Sequence, residues 1–401
     1  MMVSGNLNKV VAQPQGKYDA ALYTKAVQLA QSSLIIDGHV DAPYRFKNKM
    51  EDISKSTSAN FDYPKAKKGG LDAPFMSIYI PASFQQTPGA SKQVAEDLIA
   101  MMDSVVAKNP DKFAHAATPT DLKSNFSKGL ISFLYGMENG SPIEADLQEV
   151  AYFFDKGVRY ITLTHSKRNL ICDSSYDEDR SWGGLSPFGR SLIVEMNRIG
   201  MMIDISHVSD STFYQVLALS KAPVICSHSS LRHFTPDWER NVSDEMLKRL
   251  AKNGGVIQVN FGSTFLTAAA NGHSLKRQAF RQSIIHEKES TGRDNEGLEA
   301  AMQRFKEENP YPFAKVEDVV AHIDRAVQIA GIDHVGLGSD FDGVGDSLPT
   351  GLKSVADFPN LVYHLLKKGY SDQDVRKILG QNVMRVWRDV AAFAAQQDLP
   401  Q

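Results

Sequence analysis

Seven side chains in this sequence could act together on a divalent cation. They are His39 and Asp41 in Ile35-Ile36-Asp37-Gly38-His39-Val40-Asp41, Glu138 in Gly136-Met137-Glu138-Asn139-Gly140, and His165, His207, His228 and Asp340. In an extended strand, residues i and i+2 leave on the same side, about 7 Å apart, so His39 and Asp41 point together. Each of the others also follows a short apolar run. Imidazoles mixed with carboxylates suit Zn²⁺ or a similar ion, and the acids are too many for one tetrahedral structural site. Two ions sharing Glu138 use them economically, with His39 and Asp41 completing one set and His207 and His228 the other. Ions about 3.5 to 4 Å apart can hold a bridging hydroxide at neutral pH. Singly, each residue has an ordinary reading: a hydrogen-bonded strand-end histidine, a loop acid beside the turn pair Asn139-Gly140, an aspartate at a turn or cap. Recurrence of the pattern at six strand ends favours the chemical reading.

The elements that must position these groups follow from the apolar runs. After a helix over 18–31 and the first strand at 35–40, strands are expected at 75–80, 130–135, 158–163, 201–205, 223–226, 255–259 and 334–338. Helical stretches at 92–107, 144–156, 189–199, 209–219, 243–251 and 316–330 separate most of them. Eight nearly continuous apolar strands alternating with helices indicate burial on both faces and predict a (β/α)8 TIM barrel, whose strand ends converge on one mouth. Residues 34–395 read as a single barrel domain preceded by a leader and helix over 1–33. A helical insertion is expected at about 262–315, a surface loop at 44–70, and two or three amphipathic C-terminal helices at 355–395.

The rest of the composition excludes more than it assigns. A formal charge of −3 over 401 residues provides no basic field for nucleic acid. No apolar run reaches the roughly 20 residues of a membrane span. Cys172 and Cys226 are too few for a disulfide framework, and Cys226 is expected to be a buried thiol. The polar start, Met1 to Gly16, lacks the basic and apolar regions of a signal peptide, which leaves the cytoplasm, or the periplasm if an export leader has been removed. His115, His273, His286, His322, His334 and His364 fall on helices, loops or a strand beginning and are assigned no chemistry. His233, just beyond His228, is a candidate supporting group.

The chain resembles the membrane (renal) dipeptidases of the amidohydrolase superfamily, in a bacterial form. The resemblance rests on Asp37-Gly38-His39-Val40-Asp41, Gly136-Met137-Glu138, Leu163-Thr164-His165, Asp204-Ile205-Ser206-His207-Val208-Ser209, Ser227-His228-Ser229 and Gly338-Ser339-Asp340-Phe341-Asp342-Gly343, and it spans roughly residues 34 to 390. It implies two zinc ions held by His39 and Asp41, by His207 and His228, and by Glu138 between them. It further implies that His165 polarises the scissile carbonyl, that Asp340 moves protons, and that Arg240 binds the substrate's terminal carboxylate. A homodimer is implied as well.

The leading expectation is a zinc-dependent dipeptidase acting on free dipeptides, both L-L and, as in relatives, those with a D-residue at the C-terminal side. A second reading is another amidohydrolase reaction, on a cyclic amide or as a deaminase. Many such relatives bridge their metals with a carboxylated lysine at the end of strand 4, where this chain has His165. A third is a non-catalytic barrel used in binding or maturation.

Overall fold

The computed structural model describes residues 18–291 and 297–397. Nine parallel strands appear in chain order: β1 (Ile35–Val40), β2 (Leu71–Tyr79), β3 (Phe113–His115), β4 (Ile131–Glu138), β5 (Val158–Thr162), β6 (Met202–Asp204), β7 (Ile225–Cys226), β8 (Val256–Val259) and β9 (Val335–Leu337). Eight of them close a ring in the order β1, β2, β4, β5, β6, β7, β8, β9, and β9 pairs back onto β1. This is the expected TIM barrel.

β3 was not anticipated. The ring partners of β4 begin at Leu134 and Tyr135, which leaves the backbone of Ile131–Phe133 without ladder partners inside the barrel. β3 supplies them from outside, residue for residue.

The helices match the apolar periodicity and are held by polar ends. Ser186, Ser209 and Ser243 each accept a backbone N–H at a helix start, and Gly200 and Gly254 end two of those helices at positive φ. One helix starts later than expected: Glu144 sits at φ 48, so a separate 3₁₀ turn at Ser141–Ile143 precedes the helix Gln148–Asp155. The helix Pro119–Ser127 went unread, although Thr118 and Asp121 form a reciprocal capping box.

Residues 44–70 correct the surface-loop expectation. Helices Ala42–Asn48 and Tyr63–Gly69 lie there, and Phe46 and Phe61 are fully buried. The segment is tied down from the far end of the chain, because Asp342 accepts the backbone N–H groups of Asn60 (2.8 Å) and Phe61 (3.1 Å). Those two bonds satisfy backbone that would otherwise be stranded over the barrel.

The insertion contains helices Ser263–Leu266, Ala268–Thr291 and Leu298–Glu308. Residues 1–16 and the start of the charged run at Arg293 lie outside the described residues. The C-terminal helices are Phe358–Lys368, Asp372–Arg376 and Asn382–Gln397. The last carries Val383, Val386, Trp387 and Val390 into one cluster with the barrel residues Ile36, Leu134, Met202 and Ile225, closing the barrel floor with apolar side chains. Both cysteines are buried and free. Among the described residues no helix is long and apolar enough to cross a membrane.

Candidate metal centre

The barrel brings the seven groups to its C-terminal mouth. Glu138, the last residue of β4, is the hub. Its Oε1 lies 3.2 Å from His207 Nε2, 3.3 Å from His228 Nε2 and 3.7 Å from His165 Nε2, while its Oε2 lies 3.5 Å from His39 Nε2. His39 Nε2 is also 3.4 Å from Asp41 Oδ2. Three overlapping donor sets result: His39, Glu138 and His228; Glu138, His165 and His207; and His39, Asp41 and Asp340.

Local backbone geometry aims several of these groups. His207 and Asp340 adopt positive φ, 67° and 62°, and so does Asn139 at 78°. These are residue types that tolerate the left-handed region, and here it turns each chain at the strand end. The ladder itself gives way to carboxylates at these points. Asp37 Oδ1 accepts from His39 N and Ser339 N, and Asp204 Oδ1 accepts from Ser206 N and Ser227 N, which accounts for β6, β7 and β9 being shorter than their apolar runs.

The supporting hydrogen bonds decide which imidazole nitrogen is bare. Ser227 donates its hydroxyl to Asp204 Oδ2 (2.6 Å), so it must accept from His228 Nδ1 (2.7 Å), leaving Nε2 of His228 with a free lone pair. Tyr160 donates to Gly38 O (3.0 Å) and accepts from His39 Nδ1 (2.9 Å), so Nε2 is the His39 nitrogen turned toward Asp41 and Glu138. The tyrosine reaches this far because position 136 is glycine; a Cβ there would sit 2.0 Å from the Tyr160 ring. Arg240 has only donors, and its Nη2 stands 3.0 Å from His207 Nε2, so that nitrogen also presents a lone pair.

These donors fit a cation. His39 Nε2 is buried with no hydrogen-bond partner among the described residues. The unprotonated Nε2 atoms of His207, which accepts from Arg240, and of His228 face each other at 2.8 Å. Only a positive centre makes such an arrangement favourable. Burial, the largest influence, keeps His165, His207 and His228 below the ordinary imidazole pKa, so they are neutral at pH 7, the state in which an imidazole can bind a cation. Burial opposes charge on His39 as well, but Tyr160, Asp41 and Glu138 outweigh it and raise its pKa, and a divalent ion at Nε2 would take the place of that proton in the same field. Burial and the neighbouring Asp41 push Asp340 up to about 6.

Arg240 enters from the loop after β7. It is 3% exposed, donates to Ser229 Oγ (3.0 Å) and His228 O (2.8 Å), and abuts the same cluster. A cavity of about 2340 Å³ opens above the cluster, lined by Asp41, Glu138, His165, His207 and Asp340, by Tyr44 and Arg45, and by insertion residues such as His273 and Phe305. His233 departs from expectation: it is exposed on the turn Arg232–Phe234, its ring set against Phe234 rather than the cluster. The polar run around it is a solvent-facing turn.

Four contributors were not singled out from sequence: Tyr160, Asp204, Ser227 and Asn260, the last donating to Asp340 Oδ2 at 2.7 Å. Asp204 and Ser227 sit inside the matched motifs. Tyr160, within an apolar strand, gives no sign distinguishing it from core.

A family comparison agrees with this geometry. Residues 23–401 match the family described as "Membrane dipeptidase (Peptidase family M19)". A solved structure of the probable dipeptidase PvdM from Pseudomonas aeruginosa is 27% identical and superposes with a TM-score of 0.83, covering 94% of this chain and 100% of that one. An amidohydrolase from Pseudomonas aeruginosa is 26% identical with a TM-score of 0.70, covering 91% and 98%. A metallopeptidase from Rhodobacter sphaeroides shares the fold at 23% identity and a TM-score of 0.72, covering 90% and 100%. The chain belongs to the membrane dipeptidase family, peptidase family M19, and is a metal-dependent peptide-bond hydrolase.

Proposed function

We propose that the protein is a binuclear zinc dipeptidase that cleaves the single amide of free L-L and L-D dipeptides. The observation that carries this reading is the placement of Glu138, whose two oxygens face two different histidine groups. His39 and Asp41 would hold one ion, His207 and His228 the other, and Glu138 would contribute to both. When bound, the ions supply Lewis acidity and bring a water's pKa down to near neutrality.

The chain's own residues do the rest. Arg240 receives the substrate's terminal carboxylate in a bidentate grip, which fixes the register of the amide. His165, whose side chain is 21% exposed to the cavity, contacts the scissile carbonyl oxygen and stabilises charge developing there. Asp340, held by Asn260 and raised to about 6, takes a proton from the attacking water and returns it to the leaving amine.

Recognition of a terminal carboxylate explains restriction to dipeptides, since an extra C-terminal residue would present a neutral amide to Arg240. A cyclic-amide or deaminase reaction leaves that guanidinium without a carboxylate to bind. The Rhodobacter sphaeroides metallopeptidase was solved with a phosphinate mimic of L-Ala-D-Ala, which supports including L-D dipeptides. Metal analysis combined with turnover of L-Ala-L-Ala, L-Ala-D-Ala and tri-alanine tests the proposal. Two ions per chain and cleavage of dipeptides alone are expected; equal turnover of the tripeptide, or one ion per chain, overturns it.

A further inference from the structure

We propose that Trp238, Phe265 and Tyr176 form an aromatic wall beside Arg240 that selects dipeptides with a large apolar side chain on the C-terminal residue. The inference rests on the reading of Arg240 as the carboxylate anchor. The Phe265 ring lies 5.2 Å from the Arg240 guanidinium carbon, and Trp238 stacks on it with centroids 5.2 Å apart and planes 28° from parallel. Tyr176 meets Trp238 edge-on at 6.2 Å and leans over the His207 ring at 5.7 Å.

Three separate segments deliver these rings: the loop after β5, the loop after β7 and the short helix Ser263–Leu266 after β8. All three line the cavity above the metal cluster. Tyr176 is 42% exposed, and Trp238 and Phe265 are half-buried, so each keeps ring surface open to it. Folding ordinarily covers such rings; three of them left partly open beside the Arg240 guanidinium make a surface for a ligand.

The substrate's own connectivity then fixes what meets that surface. A C-terminal residue carries its carboxylate and its side chain on the same Cα. With the carboxylate on Arg240 and the scissile carbonyl near His165, the side chain falls beside the guanidinium, where the rings stand. A benzyl or isobutyl group is desolvated there, glycine offers nothing to bury, and a second carboxylate would be stripped of water against ring faces. Attraction of the guanidinium to the Phe265 face also helps keep Arg240 in place.

The test compares Ala-Phe with Ala-Gly on the zinc-loaded full chain. The wild type is expected to favour Ala-Phe by about tenfold or more in kcat/KM. In Trp238→Ala that ratio should collapse toward one, chiefly through a higher KM for Ala-Phe. Tyr176→Leu, in a different loop, should shrink the ratio as well, so the outcome does not depend on one variant folding. Equal wild-type turnover of the two substrates overturns the wall but leaves the dipeptidase reading intact. A ratio unchanged in both variants also overturns the wall. No turnover of either substrate removes both readings together.

Discussion

The Nε2 atoms of His207 and His228 face each other across 2.8 Å, and neither carries a proton: that of His207 accepts from Arg240, and His228 donates through Nδ1 to Ser227. Arg240 offsets part of the repulsion between them, and a cation held by both nitrogens would offset the rest. Glu138 Oε1, within 3.3 Å of both, is the nearest charge able to complete a ligand set. Glu138→Gln keeps the shape and removes that charge. It should lose most bound metal at both positions, read by mass spectrometry of the dialysed protein, with kcat/KM down by at least about 100-fold. Full metal occupancy in the variant would show that Glu138 is not the shared ligand.

The Asp204–Ser227–His228 chain is a separate lever on the same ion. Asp204 is fully buried and accepts from Thr162, Ser206 and two groups of Ser227, so its charge is spread over four donors. Through Ser227 it sets the His228 tautomer. Ser227→Ala should weaken affinity for one of the two proposed ions by about 10- to 100-fold while the other binds normally. A titration with two unchanged steps would mean that His228 needs no outer partner.

Asp340 is positioned by a different contact, the 2.7 Å bond from Asn260, whose own Oδ1 is oriented by Gly262 N. Asp340→Asn should retain metal but lower kcat by about 10²- to 10⁴-fold, the range for loss of a proton-transfer group. Wild-type turnover in this variant would reassign the proton to another group.

Arg240 makes a prediction about substrate length and charge. Arg240→Lys preserves one positive charge but not the fork geometry, so KM should rise strongly, with a further loss in Arg240→Ala. Blocking the substrate carboxylate as an amide should reduce kcat/KM in the wild type and have little further effect in Arg240→Ala. An equal penalty in both proteins would place the carboxylate elsewhere.

The barrel was legible because eight buried strands leave continuous apolar runs, and the polar residues that end them stand out against that background. His39, Glu138, His207 and His228 therefore stand out together in the sequence although they are far apart along it. What escaped notice was polar function within apolar sequence. Tyr160 looks like core, and most of its side chain is core; only its hydroxyl, reaching His39 over Gly136, serves the cluster. Residues 44–70 escaped for the opposite reason, since their polar composition conceals a buried Phe61 whose backbone is anchored by Asp342, some 280 positions away. Long-range side-chain to backbone bonds of this kind leave no periodic trace.

One titration lies away from the metal cluster. Asp72, near the start of β2, accepts the backbone N–H of Ile35 at 3.1 Å, and burial raises its pKa to about 7. The unfolded chain should show a value of about 3.9. The folded state thus holds the proton more tightly, and the stability this brings is fully present below about pH 3.9 and is lost as pH rises through 7. Asp72→Asn is neutral throughout and its Oδ1 can still accept from Ile35. Relative to wild type, its melting temperature should be nearly unchanged around pH 4 and should pull ahead steadily toward pH 8, where the native carboxylate is ionised at a half-buried position. Thermal melts of both proteins across that range check the sign. A difference that stays constant with pH would show that Asp72 titrates in the folded protein as it does in the unfolded chain.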